Sequence, residues 1–215
     1  MAINPEVIAR TALRLLTDVG LDGLTMRVVA TELGVRAPTL YWHVKNKQEL
    51  LDAMATAILL EALDGLEAPG AGVTWEEWLA DNARQLRRTM LRYRDGARVL
   101  AGTNTAHPAM FRFVELTLRT LRDAGFTLDD AAEAYPTLLN YTIGFTIEEQ
   151  ARTGVAYEGD NPYEPDRLER MVDGDQFPLS ARLVRRLFSP DTDAAFEAGL
   201  DIVLTGIRTK YGIGT

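Results

Sequence analysis

The chain has 215 residues, a length that suits one or two domains. Hydrophobic residues make up 47% and charged residues 25%, which are the proportions of an ordinary globular protein and argue against a mainly disordered chain. Cysteine is absent, so disulfide frameworks, cysteine zinc sites and thiol nucleophiles are excluded.

The net charge of −8 is unevenly distributed, because residues 1–50 are close to neutral and the rest of the chain carries the acidic excess. An acidic surface repels polyanions, so any nucleic-acid contact is expected in the N-terminal segment. From charge alone, an ordinary solvated surface is the alternative. We see neither a signal peptide nor an apolar run that could span a membrane, and therefore expect a cytoplasmic protein with no membrane partner.

Four helices are predicted at the N-terminus. Apolar residues at three- and four-residue spacing predict a helix over about residues 5–19, which Gly20 stops. Thr25 can cap a second helix, Pro38 opens a short third helix, and Asn46 precedes a longer fourth one.

The second and third helices, separated by a glycine turn, have the organisation of a helix-turn-helix. Tyr41, Trp42 and His43 are consecutive, so they cannot share one helix face and at least one faces solvent. In the functional interpretation, Tyr41 and His43 reach phosphates or bases while Leu40 and Val44 anchor the helix inward. The alternative is an aromatic corner that packs a small three-helix bundle.

A stretch rich in Gly and Pro at residues 65–74 predicts a loop. We divide the chain into a helix-turn-helix DNA-binding domain at residues 1–46, called the head, and a helical effector-binding and dimerisation domain at residues 47–215, called the core. Further helices are expected at about residues 75–92, 95–101, 109–124, 128–152 and 191–211. Residues 154–178 are expected to form an exposed loop with one helical turn near residues 166–172. The prediction is an all-α fold, in which the fourth, long helix joins the head to the core.

Small residues recur along the last predicted helix, from Ala194 to Gly206. Such spacing lets two helices approach closely, which favours a homodimer built through a four-helix bundle. An ordinary buried helix within one protomer is the alternative.

Catalysis finds little support in the sequence. The two histidines, His43 and His107, are too few for a histidine metal site. No nucleophile-elbow, P-loop, dinucleotide-binding or zincin motif is present. Glu148 and Glu149 are adjacent, but neighbours on a helix point about 100° apart and do not form one acid–base pair. We predict that the protein is not an enzyme and has neither a cofactor nor a metal site.

Residues 24–55 read LTMRVVATELGVRAPTLYWHVKNKQELLDAMA and resemble the DNA-binding head of the TetR family. Within them, PTLYWHVKNK is especially similar to the tetracycline-repressor subgroup. Residues 75–84 (WEEWLADNAR), 93–103 (YRDGARVLAGT) and 141–150 (YTIGFTIEEQ) are similar to segments of that subgroup's core domain.

The resemblance implies an all-α homodimer in which each head reads half of a palindromic operator in double-stranded DNA. A small effector bound in the core then moves the heads apart and releases the DNA. We therefore predict a transcriptional regulator that acts as a repressor, although activation is not excluded by the sequence. The alternative is a helical ligand-binding or dimerisation module whose head no longer reads specific DNA.

The resemblance also places side chains at DNA-facing positions, namely Thr25, Arg27, Pro38, Thr39, Tyr41, Trp42, His43 and Lys47. Arg36 and Ala37 stand at the base-reading start of the third helix, the recognition helix, where they replace an acid–amide pair of the subgroup. At the start of the second helix, Met26 replaces a hydroxyl residue. The operator should therefore differ from the tetracycline operator. Arg27 suits guanine and Lys47 suits phosphate.

In the subgroup, two histidines and a glutamate meet a magnesium–drug chelate. The resemblance places that glutamate at Glu148 and the two histidines at Leu63 and Leu100, which can neither ligate nor hydrogen-bond. The candidate effector-binding residues are polar Asn82, Thr103 and Asn104 and apolar Leu63, Leu86, Leu100, Phe111, Leu139 and Phe145. We predict an apolar organic effector without a metal; alternatively, these leucines simply fill the core.

Overall fold

The computed structural model describes residues 3–103, 107–153 and 160–214 of the chain. In these ranges the chain forms eleven helices and no strand, which confirms the all-α prediction. The helices are α1 Pro5–Gly23, α2 Met26–Glu32, α3 Ala37–Tyr41, α4 Lys47–Ala62, α5 Trp75–Leu91, α6 Gly96–Leu100, α7 Pro108–Asp123, α8 Leu128–Thr153, α9 Pro165–Met171, α10 Pro178–Leu187 and α11 Thr192–Tyr211. None of these helices is long and apolar enough to cross a membrane.

The N-terminal helices begin where their capping residues predict. Asn4, Thr25 and Asn46 each accept a hydrogen bond from the backbone amide three residues later, at 2.8, 3.2 and 2.9 Å. Gly20 adopts a φ of 64°, so the regular part of α1 breaks there before one further turn ends at Gly23.

The segment before α11 contains more helix than expected. The single turn predicted near residues 166–172 is the seven-residue helix α9, and α10 follows as a ten-residue helix that the sequence analysis did not predict. Leu179, Leu183 and Leu187 lie four residues apart on α10 and are exposed in the single protomer. The single protomer therefore covers this leucine face of α10 only in part.

Two apolar clusters form the interior. The first cluster runs from α1 through α4 into α5 and α6, where it includes Leu86, Met90 and Leu100. The second cluster joins α5, α7, α8 and α11. The first cluster therefore extends without a break from the head into the core. Residues 65–74 connect α4 to α5 as a loop.

The helix α6 lies between the head and α8. On the head side, the Asp95 carboxylate accepts a hydrogen bond from the Leu21 amide at 2.9 Å, and Arg98 pairs with Asp22 at 3.2 Å. On the other side, the Gln150 side chain accepts from the Ala97 amide at 3.0 Å. A shift of α6 would therefore be transmitted to the end of α1.

Candidate DNA-binding head and central cavity

The predicted DNA-facing residues form one accessible surface on α2, α3 and the start of α4. All of them are exposed except Ala37, which is half-buried. Trp42 is 87% exposed and Tyr41 is 49% exposed, whereas Leu40 and Val44 are buried at 0% and 2%. This exposure contradicts the alternative in which the aromatic residues pack the head, and it matches the functional interpretation.

The cations of this surface are available to a polyanion. Among the described residues, neither Arg27 nor Arg36 forms an ion pair, although many other arginines of the chain do. Lys47 makes a 3.4 Å hydrogen bond to the Leu21 carbonyl oxygen, which leaves its charge uncompensated. An unpaired surface cation can neutralise a phosphate without first breaking a salt bridge.

A central cavity of about 200 Å³ lies between α4, α5, α6, α7 and α8. It is lined by Leu59, Ala62, Leu63, Leu79, Asn82, Ala83, Leu86, Leu100, Thr103, Met110, Phe113, Tyr135, Leu138, Leu139, Thr142 and Ile143. Six of the predicted effector-binding residues are among them, namely Leu63, Asn82, Leu86, Leu100, Thr103 and Leu139. The structure therefore brings most of the predicted set together around one space.

The other predicted effector-binding residues do not line this cavity. Phe111 is 73% exposed on the outer face of α7, and Glu148 is exposed on α8. Phe145 packs in the second apolar cluster, with its ring 5.3 Å from that of Phe196. Asn104 lies outside the described residues.

The sequence analysis missed the α8 wall of the cavity apart from Leu139. Tyr135, Leu138 and Thr142 lie three and four residues apart, on the same helix face as Leu139. This spacing was a usable signal. On α7 the lining residues are Met110 and Phe113, whose helix face differs from that of Phe111.

Among the residues that the structure describes, no charged side chain lines the central cavity. Three of its polar side chains already donate a hydrogen bond to a backbone carbonyl, Asn82 to Trp78 at 2.8 Å, Thr103 at 2.8 Å and Thr142 at 2.9 Å. The fourth is Tyr135, and burial raises the pKa of its hydroxyl to about 12. The wall therefore offers neutral hydrogen-bonding groups within a mainly apolar surface, which suits an uncharged organic molecule.

Comparison with known proteins agrees with both parts of this geometry. The profile described as "Bacterial regulatory proteins, tetR family" matches residues 8–54, and the profile "Tetracyclin repressor-like, C-terminal domain" matches residues 68–211. The chain belongs to the TetR family.

Individual TetR-family relatives match over nearly the full length. The tetracycline repressor protein class A from transposon 1721 of Escherichia coli is 42% identical over 97% of this chain and 92% of its own length. A possible TetR family transcriptional regulator from Streptomyces coelicolor A3(2) superimposes with a TM-score of 0.85 at 40% identity, covering 96% of this chain and 99% of its own. Streptomyces coelicolor ActR, solved in complex with actinorhodin, has a TM-score of 0.82 at 31% identity, covering 99% of each chain.

Membership of the TetR family identifies the protein as a DNA-binding transcriptional regulator and not an enzyme. The two matched segments also correspond to the two parts of the site. The head surface falls in the segment matched by the regulatory-protein profile, and every cavity residue from Leu79 onward falls in the segment matched by the C-terminal profile. Leu59, Ala62 and Leu63 of the cavity lie between the two matched segments, at the end of α4.

The side chains of this TetR-family protein do not fit the magnesium–drug chelate of the tetracycline-repressor subgroup. Leu63 and Leu100, which the resemblance places at the positions of the two histidines, both line the cavity and have no donor atom. Glu148 lies away from it. In the described part of the chain, no three residues of the His, Asp and Glu types are placed to hold a metal ion together. No step of induction is therefore assigned to a metal.

Proposed function

We propose that this protein is a homodimeric repressor that binds a palindromic operator and is released from it by an uncharged organic effector. The observation that carries this proposal is that α4 and α6 each contact both the cavity and the head. Leu59 and Leu63 at the end of α4 and Leu100 of α6 line the cavity, while Asp95 and Arg98 of the α6 segment hold the end of α1.

Release follows from this arrangement by a population shift. An effector that fills the cavity only in one arrangement of α4 and α6 favours the matching position of the heads. To move the equilibrium from 1:99 to 99:1, it must bind that arrangement more tightly by about 5.5 kcal/mol. A well-buried apolar ligand of drug size supplies binding free energy of that order.

The homodimer is supported by the surface of α11. Ala195, Ala198, Ile202, Thr205 and Thr209 recur at spacings of three and four residues and are exposed in the single protomer. Ile202 is 71% exposed and adds a large apolar side chain to this stripe of small residues. A second copy of the same face would bury this stripe in an antiparallel or crossed helix pair.

That the effector is an organic molecule is supported by ActR, which was solved in complex with actinorhodin. That it is uncharged is inferred from the neutral wall of the cavity. The relatives named tetracycline repressors likewise support an organic molecule as the effector. Because Leu63 and Leu100 have no donor atoms, we infer that release does not depend on a divalent ion. A repressor of this kind acts where the chromosome is, and we infer a cytoplasmic location.

An electrophoretic mobility-shift experiment with the DNA that flanks the protein's own gene tests the DNA-binding part of this proposal. We expect a retarded complex that survives an excess of non-specific competitor DNA. If all retardation disappears with competitor, the head does not read specific DNA and the proposal fails.

Titration of magnesium–tetracycline into the operator complex, with and without EDTA, tests the metal-independent part. We expect EDTA to make no difference to the DNA-bound fraction. Release at micromolar drug that requires magnesium would show that the leucines at positions 63 and 100 do not abolish a metal-dependent site.

A further inference from the structure

The hydroxyl of Tyr135 is the unusual group of the cavity wall. The hydroxyls of Tyr93, Tyr141 and Tyr211 each donate a hydrogen bond of 2.7 or 2.8 Å to an oxygen of the protein. Among the described residues, the Tyr135 hydroxyl has no such partner, although the residue is half-buried. A half-buried phenol that has no partner in the protein is free to hydrogen-bond a molecule that enters from outside.

The Tyr135 hydroxyl is accessible, and the residue lines the cavity. In the described part of the chain, every fully buried side-chain oxygen or nitrogen has a hydrogen-bond partner. The unpaired oxygen of Tyr135 is therefore not sealed in the interior but reaches open space, and the space that Tyr135 lines is the cavity.

The ring of Tyr135 is held in place by a chain of aromatic contacts. It meets Phe113 edge to face, with centroids 5.5 Å apart and planes at 71°. Phe113 is stacked on Trp78 at 6.5 Å, and the Trp78 indole donates a 2.9 Å hydrogen bond to the Glu67 carbonyl oxygen. The position of the hydroxyl is thus fixed before any ligand binds, which lowers the entropic cost of using it.

The chemistry of the group defines what it can recognise. Because burial raises the pKa of Tyr135 to about 12, the phenol keeps its proton at neutral pH and acts as a hydrogen-bond donor. No carboxylate or cation lines the cavity to compensate a charge on the ligand. The aromatic edge of Phe113 and the surrounding leucines favour flat rings.

We propose that Tyr135 is a specificity-determining residue, which selects an uncharged, ring-containing effector by donating a hydrogen bond to a carbonyl oxygen of that effector. This inference rests on the proposal above that the cavity is the effector site. It adds the class of functional group that the effector must present and the residue that reads it.

Two probes of the same shape test this selection, 9-fluorenone, which has a carbonyl oxygen, and fluorene, which does not. Calorimetric titration of the full-length protein without DNA measures both affinities. We expect fluorenone to bind about five- to tenfold more tightly than fluorene, as one neutral hydrogen bond implies. In Tyr135→Phe this preference should fall to about one, with the affinity for fluorene unchanged.

Two further variants control the experiment. Thr142→Val removes another hydroxyl of the cavity, one that already bonds the Leu138 carbonyl oxygen, and should keep the preference for fluorenone. Leu63→Trp narrows the cavity and should abolish binding of both probes, which locates them there. Tyr135→Phe should melt at the wild-type temperature, because no hydrogen bond within the protein is lost.

The wild-type comparison alone is decisive if a variant does not fold. Equal affinities for the two probes, or no binding of either, overturn the proposal, and so does a preference that survives in Tyr135→Phe. Because binding is measured without DNA, a preference that is present while neither probe releases the operator would count against the cavity as the release site and leave standing only the hydrogen bond from Tyr135 to a bound carbonyl compound.

Discussion

Arg84 and Arg87 lie on α5, and each forms an ion pair with a glutamate. The two pairs show how burial changes the contribution of an ion pair to the free energy of unfolding. Arg87 meets both carboxylate oxygens of Glu149 at 2.6 and 2.8 Å, and the two side chains are only 8% and 6% exposed. The hydrogen bonds that Arg87 donates to Glu149 raise the pKa of Arg87. Arg84 meets Glu197 equally well, at 2.7 and 2.8 Å, but these side chains are 36% and 46% exposed. The two pairs therefore differ mainly in their access to water.

We expect Arg87→Met to lower the free energy of unfolding by about 3–5 kcal/mol, because the buried Glu149 loses the guanidinium that meets both of its carboxylate oxygens. Arg84→Met should cost at most about 1 kcal/mol, as for other exposed pairs. Urea denaturation of both variants measures the difference. Adding Glu149→Leu to Arg87→Met should recover much of the loss; equal losses in the two single variants would show that burial is not the cause.

We expect Arg27 to contact a base of the operator and Lys47 to contact a phosphate. Arg27→Ala should cost about 1–3 kcal/mol on the operator and relax the base preference at one position. Lys47→Ala should weaken every sequence alike and lower the slope of log K against log salt by about one. Fluorescence anisotropy with operator and scrambled DNA distinguishes the two effects. The assignment is wrong if both variants lose the same affinity for both DNAs.

At the scale of helices, Gly199 and Gly206 of α11 separate packing within a protomer from packing between protomers. A Cβ at Gly199 would lie 2.2 Å from the Tyr141 hydroxyl oxygen, whereas a Cβ at Gly206 would meet nothing within 4 Å in the same protomer. Gly199 is therefore fixed by α8. No contact within the described protomer requires a glycine at position 206.

We expect Gly199→Ala to lower the melting temperature, because Tyr141 must give up its hydrogen bond to Phe196 or move. Gly206→Ala should leave the protomer fold intact, or stabilise it by about 0.5–1 kcal/mol through helix propensity, while weakening the dimer. Melting curves and sedimentation at several protein concentrations measure the two quantities. A Gly206→Ala dimer as tight as the wild type would remove this part of α11 from the interface.

The sequence predicted the elements whose signals are local. Asn4, Thr25 and Asn46 act as caps in the structure because capping involves only the next three residues of the chain. The order and approximate bounds of the helices before residue 154 followed from such signals and from apolar spacing. The helix α10 was missed although its leucines recur every four residues.

The candidate site was less predictable, because it depends on how helices face one another. Whether Phe111 or Phe113 of α7 faces the cavity is decided by the rotation of that helix against α5 and α8, which periodicity alone does not fix. Tyr135 was not recognised because its significance comes from a hydrogen bond that it lacks. The DNA-facing residues that the resemblance implies lie close together in one short segment, so their exposure could be expected from the sequence, and their contacts with DNA stay a prediction.

At the scale of the whole molecule, the acidic chain must present its heads to DNA as a pair. Sedimentation should give twice the chain mass of 23.8 kDa. The preferred operator should contain two half-sites about 34–36 Å apart, one turn of B-DNA. Binding selection from random duplexes, followed by sequencing, measures the spacing. A monomer that does not change with concentration at micromolar protein contradicts both the dimer and the palindrome.

The continuous apolar cluster from α1 to α6 has a consequence for how the molecule melts. Because no polar layer separates Leu16 of the head from Leu86 and Leu100 of the core, the head cannot lose its packing while the cavity keeps its own. We expect calorimetry to show a single cooperative transition for both regions. A molecule that occupies the cavity should then slow amide hydrogen exchange in α1 and α2, which it never contacts, as much as in α5. Protection confined to the cavity helices would show instead that the head opens on its own.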